Sequence, residues 1–273
     1  MRSRRFAMAV VLLGILGLAG CSGDGDATGG TFFGPERALG GGTARTYVVV
    51  GSDGDPIELG LRFTAAALDG LPDHDAYGDA LAGRAPFPKA EVYELPSQAR
   101  AAAYDHIAVD WLAHGHPPVG IFDEAHFDVR FYLREPAAVA AIDPADAEFA
   151  TKAARFPAAE YLPRDYVPAG DPATETVPGA GLRWVDSATP FHPQTYEFTQ
   201  AVLAGTWDGE YLFAEPMVTR DWLLTEPDFA AELKQPEAVR KSGHYATGYA
   251  VRYDAASREY SIVLTGLTER TAS

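Results

Sequence analysis

The sequence predicts a mainly β fold, an antiparallel sandwich or barrel built from hairpins with a few short helices. Three observations carry that expectation. Apolar and polar residues alternate with period two in several short stretches, Gly- and Asp-rich clusters separate these stretches, and only two segments carry a helical signature.

The elements follow in order. Tyr47-Val48-Val49-Val50 is a short β-branched run, and Gly51-Ser52-Asp53-Gly54-Asp55 is a turn. Ile57 to Thr64 then alternates, with Ile57, Leu59, Leu61 and Phe63 on one face, completing a hairpin. Residues 65–90 hold Pro72, Pro86 and Pro88 and look irregular. Glu91 to Leu95 and Tyr104 to Leu112 fit short strands. His126 to Arg134 is the clearest strand: Phe127, Val129, Phe131 and Leu133 face one way, and His126, Asp128, Arg130, Tyr132 and Arg134 the other. Pro144 to Arg155 fits one helix, with Asp143 as N-cap and Pro144 at its first position. A proline-rich loop follows, so 136–181 is where the domain would divide into two halves. Tyr196 to Ala204 and Glu210 to Ala214 flank Trp207-Asp208-Gly209, a hairpin signal. Asp228 to Gln235 fits a helical turn, and Gly248 to Tyr253 with Arg258 to Thr265 a last hairpin.

The N-terminus is of another kind. Arg2, Arg4 and Arg5 precede an apolar stretch from Phe6 to Gly20, the layout of a secretory signal. A bilayer-spanning helix needs about 20 apolar residues, and this run is shorter. Leu18-Ala19-Gly20-Cys21 resembles the lipobox of prokaryotic lipoproteins, which implies cleavage before Cys21 and a lipid on its thiol. The expected layout is a signal peptide over 1–20, a flexible lipoprotein tether over 21–43 and a β-rich domain over 44–273, extracytoplasmic and anchored to a membrane. Cys21 is the only cysteine, so burial rather than disulfides must stabilise the domain. A formal net charge of −16 repels nucleic acid and excludes it as a partner.

Four of the seven histidines, His106, His114, His116 and His126, fall within one short stretch. His126 and Asp128 alternate along one strand face, and His116 lies just upstream. Imidazole nitrogens and a carboxylate so placed can converge on one divalent metal, the one cofactor this pattern admits. Arg130 opposes that reading, because a guanidinium beside Asp128 pairs with it and repels a cation. Glu215 is the second candidate. It shares a face with Tyr211 and Phe213, so a buried face there would hold a carboxylate in need of a partner.

These residues fall in stretches with a resemblance of their own. They are Gly115-His116-Pro117-Pro118-Val119-Gly120-Ile121-Phe122-Asp123, His126-Phe127-Asp128-Val129-Arg130-Phe131-Tyr132, Gly181-Leu182-Arg183-Trp184-Val185-Asp186, Glu197-Phe198-Thr199-Gln200 and Gly209 through Phe213 to Glu215-Pro216-Met217-Val218-Thr219. In them the chain resembles a family of exported prokaryotic proteins classed only as a domain of unknown function. The resemblance runs from about Arg45 to the C-terminus. In that pattern histidine is frequent where this chain has Arg130, Arg183 and Gln200, which implies a metal site in family members and its loss here.

The sequence therefore predicts an envelope binding or structural module with no established catalytic activity, held by its lipid. Its partner is an unidentified ligand or an envelope protein, and homo-oligomerisation stays open. The alternative is a metal-dependent enzyme or metal-binding protein using His116, His126, Asp128 and Glu215. Arg130 separates the two: a metal-free module would hold it in an ion pair with Asp128.

Overall fold

The computed structural model of the chain describes residues 29–193 and 195–273, so the expected signal peptide over 1–20 and Cys21 lie outside the described residues. The strands run β1 (Gly30–Phe33), β2 (Arg37–Leu39), β3 (Gly42–Val50), β4 (Pro56–Thr64), β5 (Glu91–Glu94), β6 (His106–Leu112) and β7 (His126–Tyr132). After them come β8 (Tyr166–Pro168), β9 (Thr176–Val177), β10 (Gly181–Asp186), β11 (Gln200–Trp207) and β12 (Glu210–Thr219). The last are β13 (Asp228–Glu232), β14 (Gly243–Tyr245), β15 (Gly248–Asp254), β16 (Glu259–Thr265) and β17 (Thr268–Arg270). Short helices α1 (Ala76–Leu81), α2 (Pro136–Ala140), α3 (Phe149–Ala153), α4 (Pro172–Glu175) and α5 (Arg220–Leu223) lie between them.

One sheet has the order β1-β3-β4-β16-β15-β13, with β2 beside β3. The other has the order β5-β6-β7-β12-β11-β10-β8, with β9 beside β10, and β14 and β17 form a separate pair. All strand pairs are antiparallel and neither large sheet closes on itself, so the architecture is a sandwich. Phe63, Ile262 and Leu264 of the first sheet pack against Ile107, Phe127, Val129 and Phe131 of the second. The Phe63 and Phe127 rings meet across the layer with centroids 6.0 Å apart.

The second sheet is covered on its outer face as well. Val139, Ile142 and Phe149 pack on Ala108, Tyr132 and Phe213, and Ile121, Phe122 and Phe198 pack on Leu203 and Met217. Every residue of β7 is therefore buried. Its alternation still sorts side chains, apolar toward the sandwich core and polar toward the outer cover, so the polar face is a buried layer rather than a solvated one.

Several expectations change. Residues 30–43, assigned to the tether, form β1, β2 and the start of β3, all paired. The halves on either side of 136–181 are not separate domains: β4 pairs with β16 and β7 with β12, so each sheet runs through both. Ile57 is 46% exposed. Val49 faces Glu58 while Val50 faces Pro56, which makes Ile57 the extra residue of a bulge, turned out of the alternation. The helix expected at Pro144–Arg155 shrinks to α3, because Asp143 and Asp146 spend their side chains closing turns on the amides of Ala145 and Glu148. The helical turn at Asp228–Gln235 is instead the edge strand β13, whose burial alternates with period two. Finally, β12 continues through Pro216 to Thr219. Its ladder to β7 skips Glu215 and Pro216, where proline has no N–H to give.

Candidate functional site

Four strands, β6, β7, β12 and, beyond β11, β10, and one loop deliver polar side chains to the covered outer face of the second sheet. β7 supplies His126, Asp128 and Arg130, β12 supplies Glu215, β10 supplies Arg183 and β6 supplies Asp110. His116 arrives on the loop after β6, where its backbone N–H donates to the Phe122 carbonyl at 3.0 Å. His126, Asp128 and Glu215 are 0% exposed.

The charged part is an ion-pair network. Asp110 and Asp128 face each other across β6 and β7, a like-charge pair that Arg130 relieves. Arg130 donates to both: Nη2 lies 2.9 Å from Asp128 Oδ2, and Nη1 contacts Asp110 Oδ2. Arg130 Nε lies 2.7 Å from Glu215 Oε1, although its N–H is not directed at that oxygen. Arg183 grips Glu215 with a fork, Nε to Oε2 at 3.1 Å and Nη2 to Oε1 at 3.2 Å, and Nη2 also reaches Asp128 Oδ2. Burial alone would raise the Asp128 carboxyl, but the guanidinium of Arg183 outweighs it and holds the group well below the usual carboxylate range. Burial pushes Glu215 upward, against the pull of Arg130 and Arg183.

The uncharged part is different in kind. His116 Nδ1 lies 2.6 Å from the Pro117 carbonyl and His126 Nδ1 2.6 Å from the Glu124 carbonyl. A carbonyl only accepts, so each Nδ1 carries a proton, and the neutral form of each ring has its lone pair on Nε2. Both Nε2 atoms point at Asp128: His126 Nε2 is 3.1 Å from Oδ1 and His116 Nε2 is 3.8 Å from Oδ2. His116 Nε2, His126 Nε2 and Asp128 Oδ1 are buried and make no hydrogen bond. One donor atom from each of the three residues lies within 4.8 Å of the other two. Ligands about 2.1 Å from a tetrahedral ion stand roughly 3.4 Å apart, so the spacing suits a divalent metal. Aromatic contacts fix the imidazoles: His126 packs edge-on to Phe198 at 5.0 Å and His116 to His126 at 5.1 Å. Burial, and after it the charge of Arg183, holds the His116 imidazole well below its usual range, so it stays neutral.

Of the four proposed ligands, His116, His126 and Asp128 come together as donors, while both oxygens of Glu215 are taken by arginines. His114 is exposed and turns toward Asp73, and His106 sits at the far end of the β6–β7 ladder, stacked on Tyr132 at 4.7 Å. Gln200 accepts from the Tyr249 hydroxyl and takes no part. Sequence reasoning missed two members. Asp110 has a signal in the pairing of its strand with β7, and Tyr77, whose hydroxyl is 3.3 Å from Arg183 Nη1, has none. A cavity of about 120 Å3 opens beside His116 and Arg183, walled by Tyr77, Phe87, Phe122 and Leu203. No known family, curated protein or solved structure matches the chain.

Proposed function

We propose that the protein is a surface-anchored envelope lipoprotein whose binding function is to hold one first-row divalent metal ion on His116, His126 and Asp128. The observation that carries the reading is the pair of Nδ1–H bonds to backbone carbonyls, which commits both imidazoles to present Nε2 toward Asp128. Two nitrogens and one carboxylate oxygen form a set that takes zinc, iron, cobalt or manganese and leaves coordination positions open.

The ion pair between Arg130 and Asp128 does not argue for a metal-free module as directly as the sequence suggests. Arg130 is shared among Asp110, Asp128 and Glu215 and does not engage Asp128 alone. Both guanidinium groups reach Asp128 through Oδ2, while Oδ1 faces His126. Two arginines against three carboxylates also leave one negative charge in the cluster.

Elemental analysis of the purified protein, with a His126→Ala variant beside it, tests the proposal. About one equivalent of a divalent metal is expected in the parent protein, falling below about a tenth in the variant. Metal-free parent protein that takes up no zinc, cobalt or manganese on dialysis would sink the reading.

A further inference from the structure

We infer that the cavity beside His116 and Arg183 binds a small monovalent carboxylate with a short apolar body, and that this anion and the metal bind cooperatively. The inference rests on the metal reading above and names the second ligand of the same site.

Charge is the first argument. The two guanidinium groups of Arg130 and Arg183 face the carboxylates of Asp110, Asp128 and Glu215, a balance of one negative charge. A divalent ion on His116, His126 and Asp128 turns that into one positive charge. An unpaired charge at this depth is costly, and one anion restores neutrality. A dianion would overshoot, so the balance selects a monoanion.

Donors are the second argument. Arg183 spends Nε and Nη2 on Glu215 and Asp128. Its Nη1 carries two protons, and among the described residues its one hydrogen bond is to the Tyr77 hydroxyl at 3.3 Å. One N–H is thus left over. Tyr77 accepts that bond through its oxygen, which leaves its own O–H to donate. Both residues line the cavity. A guanidinium N–H and a phenol O–H side by side suit the two oxygens of a carboxylate.

Size and walls are the third argument. A volume of about 120 Å3 is far more than the roughly 10–15 Å3 that admits one water. Phe87, Phe122 and Leu203 offer apolar contact, and Thr174, Thr176 and the exposed Glu175 line it as well. Such a pocket favours a branched aliphatic or small aromatic acid over a bare inorganic anion.

Cobalt(II) titration of the metal-free protein, in isobutyrate and in chloride at equal ionic strength, tests the inference. Isobutyrate in solution competes weakly for free cobalt, so bulk chelation can only loosen apparent binding. Cooperative binding instead predicts cobalt affinity at least about tenfold tighter in isobutyrate. Tyr77→Phe, which removes one oxygen and leaves the ring, should reduce the ratio of its cobalt affinities in the two salts to below about threefold, whatever its affinity in chloride. One-to-one cobalt binding of equal strength in both salts overturns the inference and leaves the metal reading standing. An undiminished isobutyrate effect in Tyr77→Phe removes the anion from this cavity. Absence of cobalt binding in either salt overturns both.

Discussion

Arg130 is a fully buried cation whose guanidinium touches three carboxylates, and its truncation strips a partner from Asp128 and Glu215, which water cannot reach. Arg130→Ala should therefore cost about 3–5 kcal/mol, the range for breaking one side of a buried ion pair. Urea unfolding measures it, and a loss under about 1 kcal/mol, the range of an exposed pair, would contradict the network described. His106 makes the opposite case. It is buried with neither ring nitrogen hydrogen-bonded, and its ring stacks flat on Tyr132. Burial, only partly offset by Asp105, lowers its pKa, so the folded state refuses a proton that the unfolded chain accepts. The resulting stability is complete above the unfolded histidine value of about 6.5 and is lost as pH falls below it. His106→Phe keeps the stacking and removes the unpaired nitrogens. It should leave stability at pH 8 unchanged or raise it by about 1–3 kcal/mol, and flatten the loss between pH 6.5 and 5. Parallel pH curves for the two proteins would refute this account. At this scale the sequence is informative where period decides, as for His126, Asp128 and Arg130. It is silent where depth decides, because nothing in the residues of β7 announces that segments 113–125 and 136–199 cover their polar side.

Elements follow the same division. The β3–β4, β11–β12 and β15–β16 hairpins are legible because alternation and turn residues lie within each segment. What is not legible is pairing at a distance: β4 with β16 joins strands separated by most of the chain, β7 with β12 strands separated by about a third of it, and β13 looks helical until its edge position is known. Glu215 shows how pairing changes meaning. Read alone it is a metal ligand or a solvent-facing strand end, and it becomes an arginine partner only once β10 and β7 flank it through β11 and directly. Gly205 on β11 gives the test. It lies opposite Phe213, whose ring passes over the glycine so closely that a Cβ there would come within 2.0 Å of the ring. Phe213 is fully buried against Tyr132, the neighbour of the site on β7, so it has nowhere to retreat. Gly205→Ala should therefore destabilise by about 1–3 kcal/mol or more through overpacking. Thermal unfolding that leaves the midpoint unmoved would show that Phe213 can yield.

For the whole molecule, the chain supplies half-sheets twice, and only the two together bury the site. The first half brings β4, β6 and β7, the second β10, β12 and β16, and their joints lie at the centre of each sheet. This arrangement also fixes where the body stands relative to an anchor at Cys21. Strand order begins at Gly30, so the eight residues 22–29 are all that separate Cys21 from β1. At no more than about 3.6 Å per residue the link spans at most roughly 30 Å, far less than the tether of 21–43 would allow. No helix among the described residues is long and apolar enough to cross a membrane. On the lipoprotein reading, retention then falls to the lipid on Cys21. One acyl chain holds a protein only marginally, so more than one chain is expected on that residue. Cys21→Ser removes the thiol and leaves the sandwich untouched, so the variant should move from the membrane to the supernatant fraction while keeping the parent's circular dichroism and metal content. Membrane retention of a folded Cys21→Ser protein that has lost residues 1–20 would place the attachment on the surface of the sandwich instead of on the lipid.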